Sequence, residues 1–296
     1  MALIEIGERN FLLYLVLPHP LKMALLSRES RAKLDRINSG FNQHAFSGDR
    51  AAQYDRLHRY EDDAQHEYPA RALVSEVWGA PGRGADGDRF GRALELGAGS
   101  GYFTALIAPR ARSVIAIEPV ADLQKVARER CAAARLENVE IVGATAFDLG
   151  PHVPARSIDS AFIIQSLHHF HRRPEVFAEL GRVVRPGGSL YLVEPHHNLR
   201  RVGRLARKYR RTYRAEAYRN DERHWATHDF LTRGELRALC RHGGFGDVRL
   251  ESYWIPYSRR LIPSPDLRFR VERILGRVPL VRHIGAVLAL VARRHA

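Results

Sequence analysis

The sequence predicts a doubly wound α/β fold: a mainly parallel sheet of seven strands with a helical N-terminal preface and an inserted cap. Three observations predict it. Short apolar runs alternate with helix-like stretches over residues 92–193, and strands alternating with helices imply parallel pairing through right-handed crossovers. A glycine-rich turn joins the first run to the first helix. The chain, at 296 residues, is long enough for one elaborated domain of this kind.

The runs are Arg92–Leu96, Ser113–Ile117, Val139–Val142, Ile158–Ile164 and Ser189–Val193. Helical stretches fall at Phe103–Ala108, Ala121–Arg135 and Pro174–Val184. Beyond them, Thr232 is a side-chain cap for a helix that Gly243-Gly244 closes. Two further runs, Asp247–Ile255 and Ala286–Ala292, then complete the seven strands. Residues 1–78 read as a helical extension, with Tyr54, Leu57 and Tyr60 on one face and Ala72, Leu73, Val77 and Trp78 as a second apolar set. The segment 79–91 is so rich in Gly and Pro that it forms a loop. The domain reading is thus a helical extension or cap over 1–78, then an α/β domain over 79–296 with a basic insertion at about 196–231.

Composition narrows the class. Hydrophobic residues at 45% and charged residues at 27% exclude wholesale disorder and collagen-like repeats. A formal net charge of +14 favours anionic partners without choosing among nucleic acid, acidic lipid and anionic metabolite. The two cysteines, Cys131 and Cys240, match neither zinc nor thioredoxin spacing, so the expected location is a reducing cytoplasm. The apolar run Phe11–Leu17 stops at Pro18 and follows Glu5 and Glu8. It lacks both membrane-spanning length and the basic start of a signal peptide. The preferred reading is a helix covering the core. The second is an amphipathic anchor with Leu21, Met23, Leu25 and Leu26, peripheral to the inner face of a membrane.

Leu94-Glu95-Leu96-Gly97-Ala98-Gly99-Ser100-Gly101-Tyr102 follows a strand and opens a helix, where a nucleotide can approach bare backbone. Its glycines alternate, unlike the G-x-G-x-x-G of a dinucleotide fold, and this argues against NAD or FAD. The second strand ends in Ile117-Glu118-Pro119, about 20 residues past the loop, where a carboxylate can accept both hydroxyls of a ribose.

Together these residues resemble the class I S-adenosylmethionine-dependent methyltransferases, a Rossmann-like family, over about residues 88–255. Glu95–Gly101 matches the family's E-x-G-x-G-x-G motif. The resemblance implies S-adenosylmethionine as cofactor, with Glu95, Gly97, Ala98, Gly99 and Gly101 around its methionine moiety. Glu118 is similar to the ribose-binding acid, with Pro119 beside the adenine. Gly143-Ala144-Thr145-Ala146-Phe147-Asp148-Leu149 resembles the adenine segment G-D-A-x-x-L. Thr145 or Ala144 stands where an aspartate is common, and Asp148 is an alternative acceptor for that contact. Gln165-Ser166-Leu167-His168-His169-Phe170 is similar to the L-H-H segment beside the methyl donor, which adds Gln165 to the cofactor contacts. Val184-Arg185-Pro186-Gly187-Gly188 matches the L-x-P-G-G turn, whose role is structural.

Methyl transfer from a sulfonium needs in-line positioning above all, which can supply on the order of 7–11 kcal/mol. If the acceptor is a hydroxyl or protonated amine, His168 and His169 are the candidate catalytic bases. The competing reading has one packed on the sheet and the other bonded to backbone. Glu194-Pro195-His196-His197-Asn198 lies at the carboxyl end of strand five, where open α/β sheets place substrate groups. Its ligand types are adjacent rather than spaced along one face, so no metal is expected.

From Arg200 to Arg214 the chain has eight basic residues and no acid, with Leu199, Val202, Ala206, Tyr209 and Tyr213 at helical spacing. This is a basic amphipathic helix: a surface for an anionic acceptor or a lipid headgroup, or simply a solvated face. Tyr218, His224, Trp225, His228 and Phe230 add aromatic surface for a pocket or a cap core. The leading function is methyl transfer to a small-molecule acceptor, anionic or lipid-like. RNA methylation would use the positive charge, but no N/D-P-P-Y tetrapeptide follows strand four, and this argues against nucleic acid. A methyltransferase-like protein that binds cofactor without turnover stays open.

Overall fold

A computed structural model describes residues 3–7, 10–57, 64–75, 77–78, 88–213 and 221–295. Tyr60, loop residues 79–87, Arg214 and Tyr218, together with the side chains of Leu57 and Tyr213, lie outside the described residues. Helices α1 (Phe11–Val16), α2 (His19–Leu25), α3 (Arg28–Phe46), α4 (Asp49–Leu57) and α5 (Ala64–Val74) precede β1 (Arg92–Leu96). Then come α6 (Tyr102–Ile107), β2 (Ser113–Ile117), α7 (Ala121–Ala133), β3 (Val139–Val142), β4 (Ile158–Ile164) and α8 (Arg173–Val183). The chain ends with β5 (Val184–Pro195), α9 (Leu199–Lys208), α10 (Arg233–His242), β6 (Phe245–Tyr253), α11 (Ser258–Leu261), α12 (Pro265–Leu275) and β7 (Val287–Arg294).

The seven strands form one sheet in the order β3-β2-β1-β4-β5-β7-β6. β1 to β5 are parallel, and β7 runs antiparallel to both β5 and β6. The central strands read as unbroken apolar runs because both their faces are covered. On one face Leu94, Leu96 and Ile163 pack under Phe177 and Leu180 of α8 and Leu236 and Leu239 of α10. On the other, Ala93, Phe162 and Tyr191 lie under Trp78, Phe103 and Ile107. Ala72, Leu73 and Trp78 therefore belong to the sheet's own core. Thr232 caps α10 as its sequence position predicts, accepting from the Glu235 N–H at 3.1 Å.

The fifth strand starts earlier than the sequence suggests. Pro186-Gly187-Gly188 is an irregularity inside β5, across which its register against β4 shifts. Gly187 has φ of 74°, and a Cβ on Gly188 would stand 2.6 Å from Val184 Cγ1. The tight bend is thus absorbed without ending the strand.

The segment after β5 leaves and returns at one point. His196 bridges to Leu231, and the Leu231 N–H donates to Pro195 O at 3.0 Å. Asn198 caps α9 by accepting from the Arg201 N–H at 3.0 Å. The basic helix continues from α9 as a π-helical turn, Tyr209–Tyr213; its buried anchor is Leu205, while Leu199 is 90% exposed. Against the insertion stand α1 to α3: Trp225 packs on Phe11 and Tyr14 with ring centroids 4.7 and 4.8 Å apart, and the Tyr14 hydroxyl donates to the Trp225 carbonyl. Of the run Phe11–Leu17, Phe11 and Tyr14 are buried, so it covers a core, while Leu12 and Leu13 stay exposed. No helix among the described residues is long and apolar enough to cross a membrane.

A buried ionic network fastens these pieces to the sheet. Asp229 of the insertion accepts from Lys22 Nζ and pairs with His19 Nδ1 at 2.7 Å, both from α2. Arg173 of α8, fully buried, donates to Glu235 Oε1 at 2.5 Å and to the Asp229 carbonyl. Burial alone would raise the Asp229 carboxyl, but Lys22, His19 and Arg173 outweigh it and hold it far below the usual carboxylate range.

Candidate active site

Two cavities lie near the carboxyl end of the parallel strands. The first, about 420 Å³, is lined by Gly97, Ile117, Pro119, Val120, Gly143, Ala144, Thr145, Ala146, Phe147, Phe170 and His169. Its outer wall comes from α3, through Asp35, Asn38 and Ser39.

The glycine loop shapes its floor. A Cβ at Gly97, where φ is 74°, would stand 2.5 Å from Ser166 Cβ, so only glycine lets the loop lie against the end of β4. At Gly101 a Cβ would meet Ala127 Cβ at 2.9 Å, which fixes how closely α7 approaches α6. Glu118 stiffens the loop: the Gly99 and Val120 N–H groups donate to its two carboxylate oxygens at 2.9 and 3.0 Å. Burial pushes its carboxyl above the usual range and the two amides oppose that rise. A carboxylate has about four lone-pair sites, so these bonds leave it capacity for hydroxyl donors.

Glu95 is placed differently. It is buried under the loop, where the Thr104 hydroxyl of α6 donates to it at 2.5 Å, and it is absent from the lining of the cavity. Burial pushes its carboxyl up to about 8, with the Thr104 bond opposing and Glu118 adding. Ala98 is buried beside Gly97, the one loop glycine in the lining; Gly99 and Gly101 lie outside it. Thr145 and Ala146 line the cavity, whereas Asp148 is exposed and does not. Gln165 ends β4 with φ of 55°, a left-handed backbone for a residue with a side chain. Its buried Nε2 has no hydrogen-bond partner.

The second cavity, about 370 Å³, is walled by Phe11, Tyr14, Leu15, Leu17 and Lys22 from the N-terminal helices and by Phe41. The insertion supplies Arg201, Leu205, Lys208, Arg223, His224, His228 and Phe230, and His197 completes the lining. One rim is thus basic and the other apolar. Arg201 lies 3.9 Å over the Phe230 ring, and Asp229 is the one acid among these lining residues.

Between the cavities stand His168, His169 and His228. Their ring centroids are 4.2 Å apart for the adjacent pair and 4.9 Å from each to His228. Glu194, at the end of β5 and fully buried, holds His168 Nδ1 at 2.7 Å and accepts the Ser166 and Leu167 N–H groups at 2.8 and 2.6 Å. One carboxylate therefore ties β5 to the turn after β4 and fixes one imidazole. In the neutral ring, Nδ1 donating to Glu194 leaves the lone pair on Nε2 of His168. Burial, followed by the neighbouring His168, His228 and Arg173, lowers His169 well below the ordinary histidine range, so its ring is neutral near pH 7.

The structure brings Gly97, Pro119, Thr145, Ala146 and His169 onto one cavity and sets Glu118, Gln165 and His168 just behind it. His196 is turned away, bonded through Nδ1 to the Gly285 carbonyl at 2.9 Å, and burial lowers it to about 4. Sequence reasoning missed Asp35, Asn38 and Ser39, which sit over 50 residues before the glycine loop and carry no local signal beyond a helix. His228 was visible only as one aromatic among several.

A family model described as Methyltransferase domain matches residues 94–192. An uncharacterized methyltransferase of Mycobacterium bovis is 33% identical over 102 residues, which are 34% of this chain and 39% of that protein. The same identity and coverage hold for an uncharacterized methyltransferase of Mycobacterium tuberculosis. The match thus spans about two-fifths of the curated relatives' length. Among solved structures, the YcgJ protein of Bacillus subtilis aligns with a TM-score of 0.52 and 16% identity, covering 77% of this chain and 99% of that one. An S-adenosylmethionine-dependent methyltransferase from Mesorhizobium loti aligns with a TM-score of 0.50 and 17% identity over 79% of this chain and all of that one. These two likenesses show the fold.

Proposed function

We propose that this chain, whose domain is that of the class I S-adenosylmethionine-dependent methyltransferases, methylates a small acceptor that joins an anionic group to an apolar body. S-adenosylmethionine is the cofactor of this domain, and when bound it supplies a methyl group already activated on a sulfonium. The residues fit such a group. Gly97 and Gly143 present bare backbone to the first cavity, Pro119, Thr145, Ala146 and Phe147 offer a wall for the adenine, and Glu118 has lone pairs left for ribose hydroxyls.

The observation that carries the proposal is the shared histidine wall: His169 lines the first cavity, His228 lines the second, and their rings are 4.9 Å apart. A methyl donor in one cavity and an acceptor in the other would meet there. His168, oriented by Glu194, offers Nε2 to the acceptor's proton. The basic rim of the second cavity supports an anionic group on the acceptor, and Phe11, Leu15, Leu17 and Leu205 support an apolar portion beside it. Residues 1–78 and the 196–231 insertion act in this reading as the cap that selects the acceptor, in a cytoplasmic enzyme. Attachment to an acidic membrane surface is a second reading, favoured by the exposed Leu12 and Leu13 of α1, which contacts the basic α9.

The test is calorimetric titration of S-adenosylmethionine and S-adenosylhomocysteine, with NADH as control and Glu118→Ala as the matched variant. Micromolar binding weakened in the variant is expected, followed by transfer of labelled methyl to anionic amphiphiles. A folded protein that binds neither adenosyl ligand would overturn the proposal.

A further inference from the structure

We infer that His168, His169 and His228 form a binding site for a single divalent transition-metal ion, zinc being the representative case, at the junction of the two cavities. Three donor atoms, one from each residue, lie within 4.8 Å of one another. Three imidazoles around a tetrahedral ion, with Zn–N of about 2.0–2.1 Å, place their ring centres about 5 Å apart. The centroid separations here are 4.2, 4.9 and 4.9 Å, and the donor atoms, now within 4.8 Å of one another, would close to about 3.4 Å around the ion.

Two independent features point to an ion. His169 Nδ1 is buried without a hydrogen-bond partner, and a lone pair left so costs free energy that coordination would remove. Glu194 grips His168 on Nδ1 at 2.7 Å and is itself fixed by two backbone amides. This is the carboxylate–histidine arrangement that orients an imidazole and raises its basicity as a ligand. Adjacent histidines look unsuited to a shared ligand set in sequence, but the short turn Leu167–His169 and the return of the insertion at His228 bring the rings together. His196 and His197, the pair beside Glu194 in sequence, take no part.

Three protein ligands leave a fourth position, as catalytic rather than structural zinc sites do. An acceptor oxygen reaching it from the second cavity would be polarised by the ion and would release its proton more readily. The imidazoles would then act as ligands rather than as proton acceptors. Occupancy of the site does not depend on the proposed reaction; the use of the ion does.

The experiment is titration of the full-length, chelator-treated protein with cobalt(II), followed by its visible absorption and then by displacement with zinc. One equivalent with the intense bands of tetrahedral cobalt is expected. The signal should be lost in His228→Ala and in His169→Ala, kept in His152→Ala, an exposed histidine elsewhere, and weakened about 10–100-fold in Glu194→Gln. Circular dichroism and thermal unfolding of each variant establish that it is folded. Absence of a tetrahedral spectrum, or one unchanged in His228→Ala, would overturn the metal site. Methyltransfer would survive that result if the metal-free protein still binds S-adenosylhomocysteine.

Discussion

Asp229→Asn tests whether the cap is fastened by charge. The substitution keeps the shape of the side chain and removes the charge facing Lys22, which is 2% exposed. Removing one partner of a buried pair costs about 3–5 kcal/mol, because the remaining charge is left without compensation. Burial already lowers Lys22, with Asp229 opposing, so the ammonium can shed its proton and the cost falls toward 3 kcal/mol. For a chain of this length about 2–4 °C of Tm accompanies each kcal/mol, giving a fall of about 6–12 °C. Thermal unfolding by circular dichroism and urea denaturation measure it. The matched control is Asp221→Asn: Asp221 pairs with Arg223 across a surface-exposed contact, and such pairs contribute at most about 1 kcal/mol. Cofactor binding should survive at low temperature, since neither Asp229 nor Lys22 lines the first cavity. A loss under about 1 kcal/mol for Asp229→Asn, or equal losses for both variants, would refute the reasoning.

Three further outcomes follow from the same geometry. Glu95 has its folded value raised to about 8, so the folded state holds a proton that the unfolded chain releases above its ordinary value near 4.5; stability from this group is present below that value and is lost as pH rises toward 8. Glu95→Gln should therefore gain stability relative to the parent at pH 9 and little at pH 4, by a few kcal/mol in urea titrations. Gly101→Ala, with φ of 76° and a Cβ 2.9 Å from Ala127 Cβ, should cost about 1–3 kcal/mol and weaken S-adenosylhomocysteine binding. Gly99→Ala, whose Cβ meets nothing within 4 Å, should cost less in stability. Trp225→Ala removes a ring packed on Phe11 and Tyr14, about 3–5 kcal/mol of local packing. Hydrogen exchange should then accelerate in α1–α3 and remain slow in β1, β4 and β5.

The sheet was legible because its signals are local. Four of its parallel strands match the apolar runs residue for residue; β1, β2 and β4 do so because strands buried on both faces are written largely in apolar residues, while β3 lies partly buried at the sheet edge. The glycine loop and Glu118 were legible because bare backbone at a strand end leaves few other residue choices. Less of the second cavity could be read. The second cavity joins α1, α2, the turn after β5 and the insertion, segments up to about 200 residues apart whose meeting is decided by Trp225 and Asp229 rather than by any periodicity. Leu205 rather than Leu199 anchors the basic helix because the partner surface lies on α1, which the helix's own pattern does not specify. His168 was legible as a candidate, but its tether to Glu194 appears only when β4 and β5 lie side by side.

The stem at His196 and Leu231 has a consequence for how the insertion can change. Since the insertion begins and ends on one bridge, the sheet registers residues 198–230 only as a loop, and doubling its length would cost about 0.6 kcal/mol in closure entropy. A transplanted insertion would nevertheless arrive without the α1–α3 surface against which Trp225 is packed. Chimeras should succeed when residues 10–46 and 198–230 travel as a pair and collapse when either travels alone, which makes these two distant stretches one inheritable unit.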